Sequence, residues 1–385
     1  MHRLKKMGML ILACFLGALA PAQAQEIGLN FNHNPENIDF TYVRKLPVRW
    51  IRTTPRILDY VDGKLDAASD TAIQKVVDAG KIGYHIVFGF RWDFKNRKLA
   101  IPAIGSSQEK AYFRVVDRLL ERVGPYIQIF SLGNEPNLET IASDLQYGQD
   151  KQVPLVKFTE SLLAHVLHFY QQHPDWPRPK IYAGSLPALF EKKQQQNPGV
   201  VELIKFAQRE PTIEGLAVHL HIGDTLEIPA ALDFVRSIMP EKPIIVPEFS
   251  LFRLYNKHFG DRIANSTKGE AFVEKRHLPE DIKLYEWLNL VHSGKVTVDE
   301  WEELFLSQDW YPSHYLLTYN RYFKQYGVVL ATYPLLQQGF TKIVKPTSDS
   351  WFLNPLFLQK SFGLTETGEY VKNPLVYADF LRLLR

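Results

Sequence analysis

The chain has 385 residues, with 45 basic and 42 acidic side chains and a formal charge of +3. It carries no basic block of the kind that grips nucleic acid or an anionic membrane surface. Its single cysteine, Cys14, falls in an N-terminal segment that reads as removable, which excludes thiol catalysis and cysteine-ligated metals from the mature chain.

In chain order, Met1 to Lys6 is a basic stretch, Met7 to Ala20 is mostly apolar, and Ala22-Gln23-Ala24 has the small-x-small pattern of a cleavage site. Residues 1–24 therefore read as a secretory signal cut after Ala24. The mature chain of about 360 residues would then be secreted or periplasmic. A lipoprotein signal ending at Cys14 is the weaker alternative, because apolar Phe15 and Leu16 follow the cysteine. The apolar stretch is too short for a membrane span. Losing Arg3, Lys5 and Lys6 brings the charge to about zero. A disulfide-free chain in an oxidising compartment depends on a large core.

Seven short β-branched or aromatic runs then alternate with amphipathic segments. The runs are Ile27–Asn32, Val48–Thr53, Ile82–Phe90, Ile127–Leu132, Lys180–Ser185, Gly215–His221 and Pro243–Val246, with a weaker eighth at Gly339–Val344. Helical spacing appears at Asp70–Ala79, Gln108–Arg122, Pro154–Gln171, Val200–Gln208 and Pro229–Ile238, and last at Pro374–Leu384. Eight strand–helix units predict an α/β fold, a (β/α)8 TIM barrel forming a single domain over 25–385. A doubly wound sheet is the runner-up, but no Gly-x-Gly-x-x-Gly turn follows the first strand. The connection after the seventh strand is the longest. It has room for a helix near Ser313–Tyr326 and an insertion at about 250–309, with charged helical stretches at Pro279–Leu290 and Val298–Phe305. In a barrel such an insertion lies on the C-terminal face, as a cleft wall or as decoration.

Two glutamates stand out. Glu135 follows the fourth run in Leu132-Gly133-Asn134-Glu135-Pro136, and Glu248 follows the seventh in Val246-Pro247-Glu248-Phe249. A carboxylate at the end of a buried strand is costly unless the fold uses it. Two of them suggest the paired carboxyls that cleave glycosidic bonds, which in retaining enzymes stand ~5 Å apart. The ends of strands four and seven face each other across a barrel mouth. Apolar neighbours such as Leu132 should hold Glu135 protonated, while Glu248 needs donors to stay ionised.

With Asn134-Glu135-Pro136 after strand four and Glu248 after strand seven, the chain resembles clan A of the glycoside hydrolases, (β/α)8 barrels that include cellulases, mannanases, β-xylosidases and β-galactosidases. The resemblance implies Glu135 as acid/base, Glu248 as nucleophile and Asn134 as donor to the substrate 2-hydroxyl. It implies an arginine supporting the nucleophile at Arg52, at the end of strand two. His219-Leu220-His221 ends strand six, where the cellulase-like members often have His-x-Tyr, so His221 stands in place of the tyrosine. Trp351 is the candidate platform for the cleaved sugar. No cofactor is implied; the partner is a carbohydrate.

Other readings of the same residues stay open. His219 and His221 share one face of their strand, so one of them suits core packing. Arg52 suits a structural ion pair, and Arg91-Trp92-Asp93 either a cleft wall or a loop start. A His-x-His pair at a strand end also suits zinc in a metal-dependent barrel hydrolase, with His33 as a further ligand, but no convincing ligand set follows, so no metal is expected. A non-catalytic carbohydrate-binding barrel would lack one carboxyl or a supporting residue.

Overall fold

The computed structural model describes residues 25–385. The expected signal segment 1–24, with Cys14, lies outside the described residues. Eight strands form one closed, wholly parallel barrel in sequence order: β1 Glu26–Asn30, β2 Trp50–Thr53, β3 His85–Gly89, β4 Ile127–Ser131, β5 Lys180–Pro187, β6 Ile213–His221, β7 Ile244–Ser250 and β8 Val328–Pro334. The expected (β/α)8 barrel is borne out. Helices fill the crossovers, and their starts follow capping chemistry. Asp70 accepts from Ala72 N at 2.7 Å, Ser106 from Glu109 N at 3.1 Å, and Pro154 opens the longest helix, Pro154–Gln171.

The eighth strand corrects the sequence reading. Gly339–Val344 is loop, and Val344 exchanges hydrogen bonds with the Asn289 side chain (2.8 and 2.9 Å) rather than with a strand. The true strand starts one residue after the helix Tyr315–Tyr326, separated from it only by Gly327 in the left-handed region (φ 65°). With no polar spacer between them, Val328–Pro334 reads as more of that helix.

Inside the barrel, Val87, Ile129, Tyr182, Ala217, Ile245 and Leu330 form a buried plug, one residue from each of β3 to β8. Above it, β7 breaks its alternation. Ala217 pairs with Ile245, but His219, two residues on, pairs with Glu248, three residues on. The extra residue in β7 changes its phase. Val246 and Phe249 face the outer core, and Glu248 turns inward beside His219.

Between β7 and the helix Tyr315–Tyr326 the chain forms helices Phe252–His258, Thr267–Lys275, Leu284–His292 and Val298–Ser307 around buried Trp287, Trp301 and Phe305. Phe252 stacks on Trp351 at 3.8 Å and 13°. Among the described residues no helix is long and apolar enough to cross a membrane.

Candidate active site

The C-terminal ends of the strands enclose a cavity of about 250 Å³, lined by Asn134, Glu135, His221, Glu248 and Trp351 among others. Arg52, at the end of β2, is the hub beneath it and is 1% exposed. Its Nη1 donates to Asn30 Oδ1 (3.0 Å), to Asn32 Oδ1 (2.8 Å) and to Glu248 Oε1, and its Nη2 donates to Asn134 Oδ1 (2.6 Å). A buried guanidinium needs this saturation, because each unpaired N–H would be stranded away from water.

Glu135 sits in the left-handed region (φ 42°, ψ 46°), the turn that lifts its carboxyl out of the line of β4. Its Oε1 lies 3.1 Å from His219 Nδ1 and 3.9 Å from His221 Nε2. Glu248 Oε2 lies 3.5 Å from the same His221 Nε2. Since they stand 3.9 and 3.5 Å from one shared atom, these two carboxylate oxygens are at most about 7.4 Å apart. All seven residues singled out in the sequence meet in this one place: six converge around the carboxylates, and Trp351 forms the wall, edge-on to His221 at 4.8 Å.

Each histidine has a partner at both ends of its ring. His219 Nδ1 donates to Glu135 Oε1, and its Nε2 lies 3.5 Å from both Arg52 Nη2 and Glu248 Oε1. His221 Nδ1 lies 2.8 Å from Ser250 Oγ, which also accepts from Phe252 N at 3.2 Å. Among the described residues the Ser250 hydroxyl has no other acceptor, and a hydrogen given to His221 Nδ1 would satisfy it. With that arrangement His221 Nε2 would carry the ring hydrogen; it lies between the two carboxylates, buried and without a closer partner.

Burial pushes the Glu248 carboxyl up, but His219, Arg52 and His221 more than offset it and hold the group well below the usual carboxylate range. Glu135 corrects an expectation. Burial does raise it, but the His219 hydrogen bond and charge prevail over burial and over the repulsion of Glu248, so the net direction is down. Burial lowers His219, against Glu248 and Glu135.

Three neighbours carried no signal in the sequence. Asn30 and Asn32 brace Arg52 from the end of β1. Glu139, one helical turn after Glu135, accepts from Asn134 Nδ2 at 2.7 Å and from the backbone of Trp92 at 3.1 Å. Burial pushes Glu139 up to about 8, against the pull of Arg91 and Asn134.

Glu135 Oε1, His219 and His221 offer ligand atoms within 4.8 Å of one another, an arrangement that suits a transition metal by composition. Arg52, however, already places a fixed positive charge 3.5 Å from His219 Nε2 and on Glu248, which disfavours a second cation there. His33, the further ligand considered for zinc, instead sits between Arg56 and Arg91.

Fold and site thus define a parallel (β/α)8 barrel with two carboxyls, from β4 and β7, at its C-terminal mouth. No family model matches the sequence, and no curated protein does. Among solved structures the chain is similar to a thermostable, highly halotolerant cellulase from an Icelandic hot spring isolate, at 12% identity over 94% of this chain and 89% of that one, with a TM-score of 0.47. It is also similar to a double mutant of the β-glucosidase from Trichoderma harzianum (10% identity, 89% and 86% covered, TM-score 0.47). A third likeness is to a psychrophilic family 10 endo-β-1,4-xylanase (12% identity, 82% and 89% covered, TM-score 0.43). With TM-scores below 0.5 none of these bears on the chemistry of this chain; its barrel is read from its own strand pairing.

Proposed function

We propose that the chain is a retaining glycoside hydrolase of the clan A type, acting on O-glycosidic, β-linked bonds of an oligo- or polysaccharide, and exported by its residues 1–24. The observation that carries this is the convergence of Glu135 and Glu248 on one buried ring nitrogen, His221 Nε2. These two oxygens, at most about 7.4 Å apart, are compatible with the ~5–5.5 Å of a retaining pair.

In this reading Glu248 Oε1 is held by Arg52, which leaves Oε2 as the attacking oxygen. It forms a bond to the anomeric carbon as the glycosidic C–O bond breaks, and Glu135 gives its proton to the departing oxygen. Water then attacks the same carbon, Glu135 takes a proton from it, and the ester to Glu248 is released. Asn134, oriented by Arg52 and Glu139, keeps one amide hydrogen for the sugar 2-hydroxyl. Trp351, backed by Phe252, offers a ring face to the sugar.

The test is a screen of aryl β-glycosides and polysaccharides, followed by Glu248→Ala with and without sodium azide. Turnover lost in the variant, and partly restored by azide as a glycosyl azide of inverted anomer, is the expected result. An active Glu248→Ala variant would sink the assignment.

A second reading is favoured by the Glu135–His219–His221 cluster: a metal-dependent hydrolase. Stoichiometric zinc in the purified protein, with activity abolished by chelator, would replace the first reading with this one. Sugar binding that survives Glu248→Ala, in a protein with no turnover, would mark a non-catalytic binding barrel.

A further inference from the structure

The loops after β1, β2 and β3 bring His33, Arg56 and Arg91 together on one side of the site. Arg56 and Arg91 lie directly opposite each other in a short parallel bridge that prolongs β2 and β3, closed by Arg91 N to Pro55 O (3.0 Å) and Ile57 N to Arg91 O (3.1 Å). Like charges so paired destabilise a sheet. Both guanidinium groups also meet the same imidazole: Arg56 Nη2 is 2.9 Å from His33 Nε2, and Arg91 Nη1 is 3.4 Å from His33 Nδ1.

A neutral imidazole has one acceptor and one N–H. The closer arginine, Arg56, takes the acceptor, so Nδ1 carries the hydrogen and faces Arg91 as donor against donor. Protonation of the ring does not relieve this, for burial, then Arg56 and Arg91, push His33 down to about 4. Arg91 has Glu139 at 3.3 Å and Asp93 at 3.9 Å, whereas among the described residues no carboxylate lies within 4.0 Å of Arg56. His33 and Arg91 line the same cavity as Glu135 and Glu248.

We infer that this wall is an anion subsite, where Arg91 Nη1–H and His33 Nδ1–H together grip the acidic group of a sugar, so that the substrate is a glycan bearing uronic acid or sulfate. The inference rests on the glycosidase reading and narrows its substrate class. An acid there completes the two unmatched donors and places one negative charge beside the facing arginines' shared imidazole.

The experiment compares kcat/KM on 4-nitrophenyl β-D-glucuronide, β-D-galacturonide and the 6-sulfated β-D-glucoside with that on the matching neutral glucoside and galactoside. We expect at least one acidic substrate to lead its neutral counterpart by about tenfold or more, the scale of one charge-assisted hydrogen bond. The uronide and sulfate arms separate the two sources of charge. In Arg91→Gln the acid-to-neutral ratio should drop by about tenfold, mainly through KM. Arg56→Gln, at an exposed position, should lower the same ratio and serves if Arg91→Gln does not fold. Neutral substrates cleaved as fast as acidic ones would overturn the subsite while leaving the glycosidase standing. If no glycoside is cleaved, the glycosidase reading fails by itself. Calorimetric titration of the unmodified protein with sodium D-glucuronate, D-glucose 6-sulfate and D-glucose then decides the subsite: tighter binding of either acid supports it, and no difference overturns it.

Discussion

Ser250 meets His221 through a single contact, Oγ to Nδ1 at 2.8 Å, on the side of the ring away from the carboxylates, where a hydroxyl donor favours the tautomer with its hydrogen on Nε2. In Ser250→Ala the ring is free to take the other tautomer and turn a lone pair toward Glu248. We expect kcat/KM to fall by about two- to tenfold, the range of one net hydrogen bond, and Ser250→Thr, which keeps the hydroxyl, to recover most of it. Steady-state kinetics on one aryl glycoside checks this; equal losses in both variants would mean that only packing was disturbed.

The pH profile has a definite sign. The proposed reaction needs Glu248 ionised and Glu135 protonated, and both groups are held below their usual range. The acid limb of kcat/KM, set by Glu248, should lie at low pH, and activity should decline on the alkaline side as Glu135 loses its proton, which places the optimum in acid. His219 is the main group pulling Glu135 down, so His219→Leu should move the alkaline limb to higher pH. A limb that stays still or moves down would contradict the pairing.

Arg52 and Glu248 form a buried ion pair whose side chains are 1% and 10% exposed. Removing one partner strands the other, at about 3–5 kcal/mol. Arg52→Met should therefore lose activity and lower unfolding free energy by roughly that amount, measured by denaturant titration at neutral pH. Adding Glu248→Gln to Arg52→Met should regain part of the loss. Because the folded Glu248 carboxyl is depressed, its contribution to stability is present above the pKa of the unfolded chain and disappears as pH falls through the folded value.

Glu135→Ala should separate substrates by leaving group. A glycoside with an activated aryl group departs with little protonation, so it should lose far less kcat than an alkyl glycoside or an oligosaccharide. A fluorimetric and a reducing-sugar assay on the same preparations give the comparison; equal losses would remove Glu135 from the acid role.

Much of this was legible before any coordinates. Seven strands announce themselves through runs such as Ile127–Leu132, and Glu135, Glu248, Arg52 and His219 are conspicuous because charge at the end of an apolar run has few other uses. What was missed is tertiary. Asn30 and Asn32 bond Arg52 across about twenty residues of sequence, and an Asn after a strand looks like any turn residue. Glu139 looks like an ordinary acid in a first helical turn, and its burial depends on Arg91 and on the backbone of Trp92. The expected protonation of Glu135 counted its apolar neighbours but not His219, which lies 84 positions away in the chain.

The phase change in β7 has a consequence for reading any chain of this kind. Strict alternation from Ile245 would send Pro247 and Phe249 toward the cavity and Glu248 into the helical shell, where Tyr319 and Phe323 pack. The bulge that absorbs this supernumerary residue is therefore what keeps Glu248 on the cavity side of the strand. Deleting Pro247 should leave a regular strand with Glu248 still inward, whereas ironing out the bulge with all its residues kept would turn Glu248 outward.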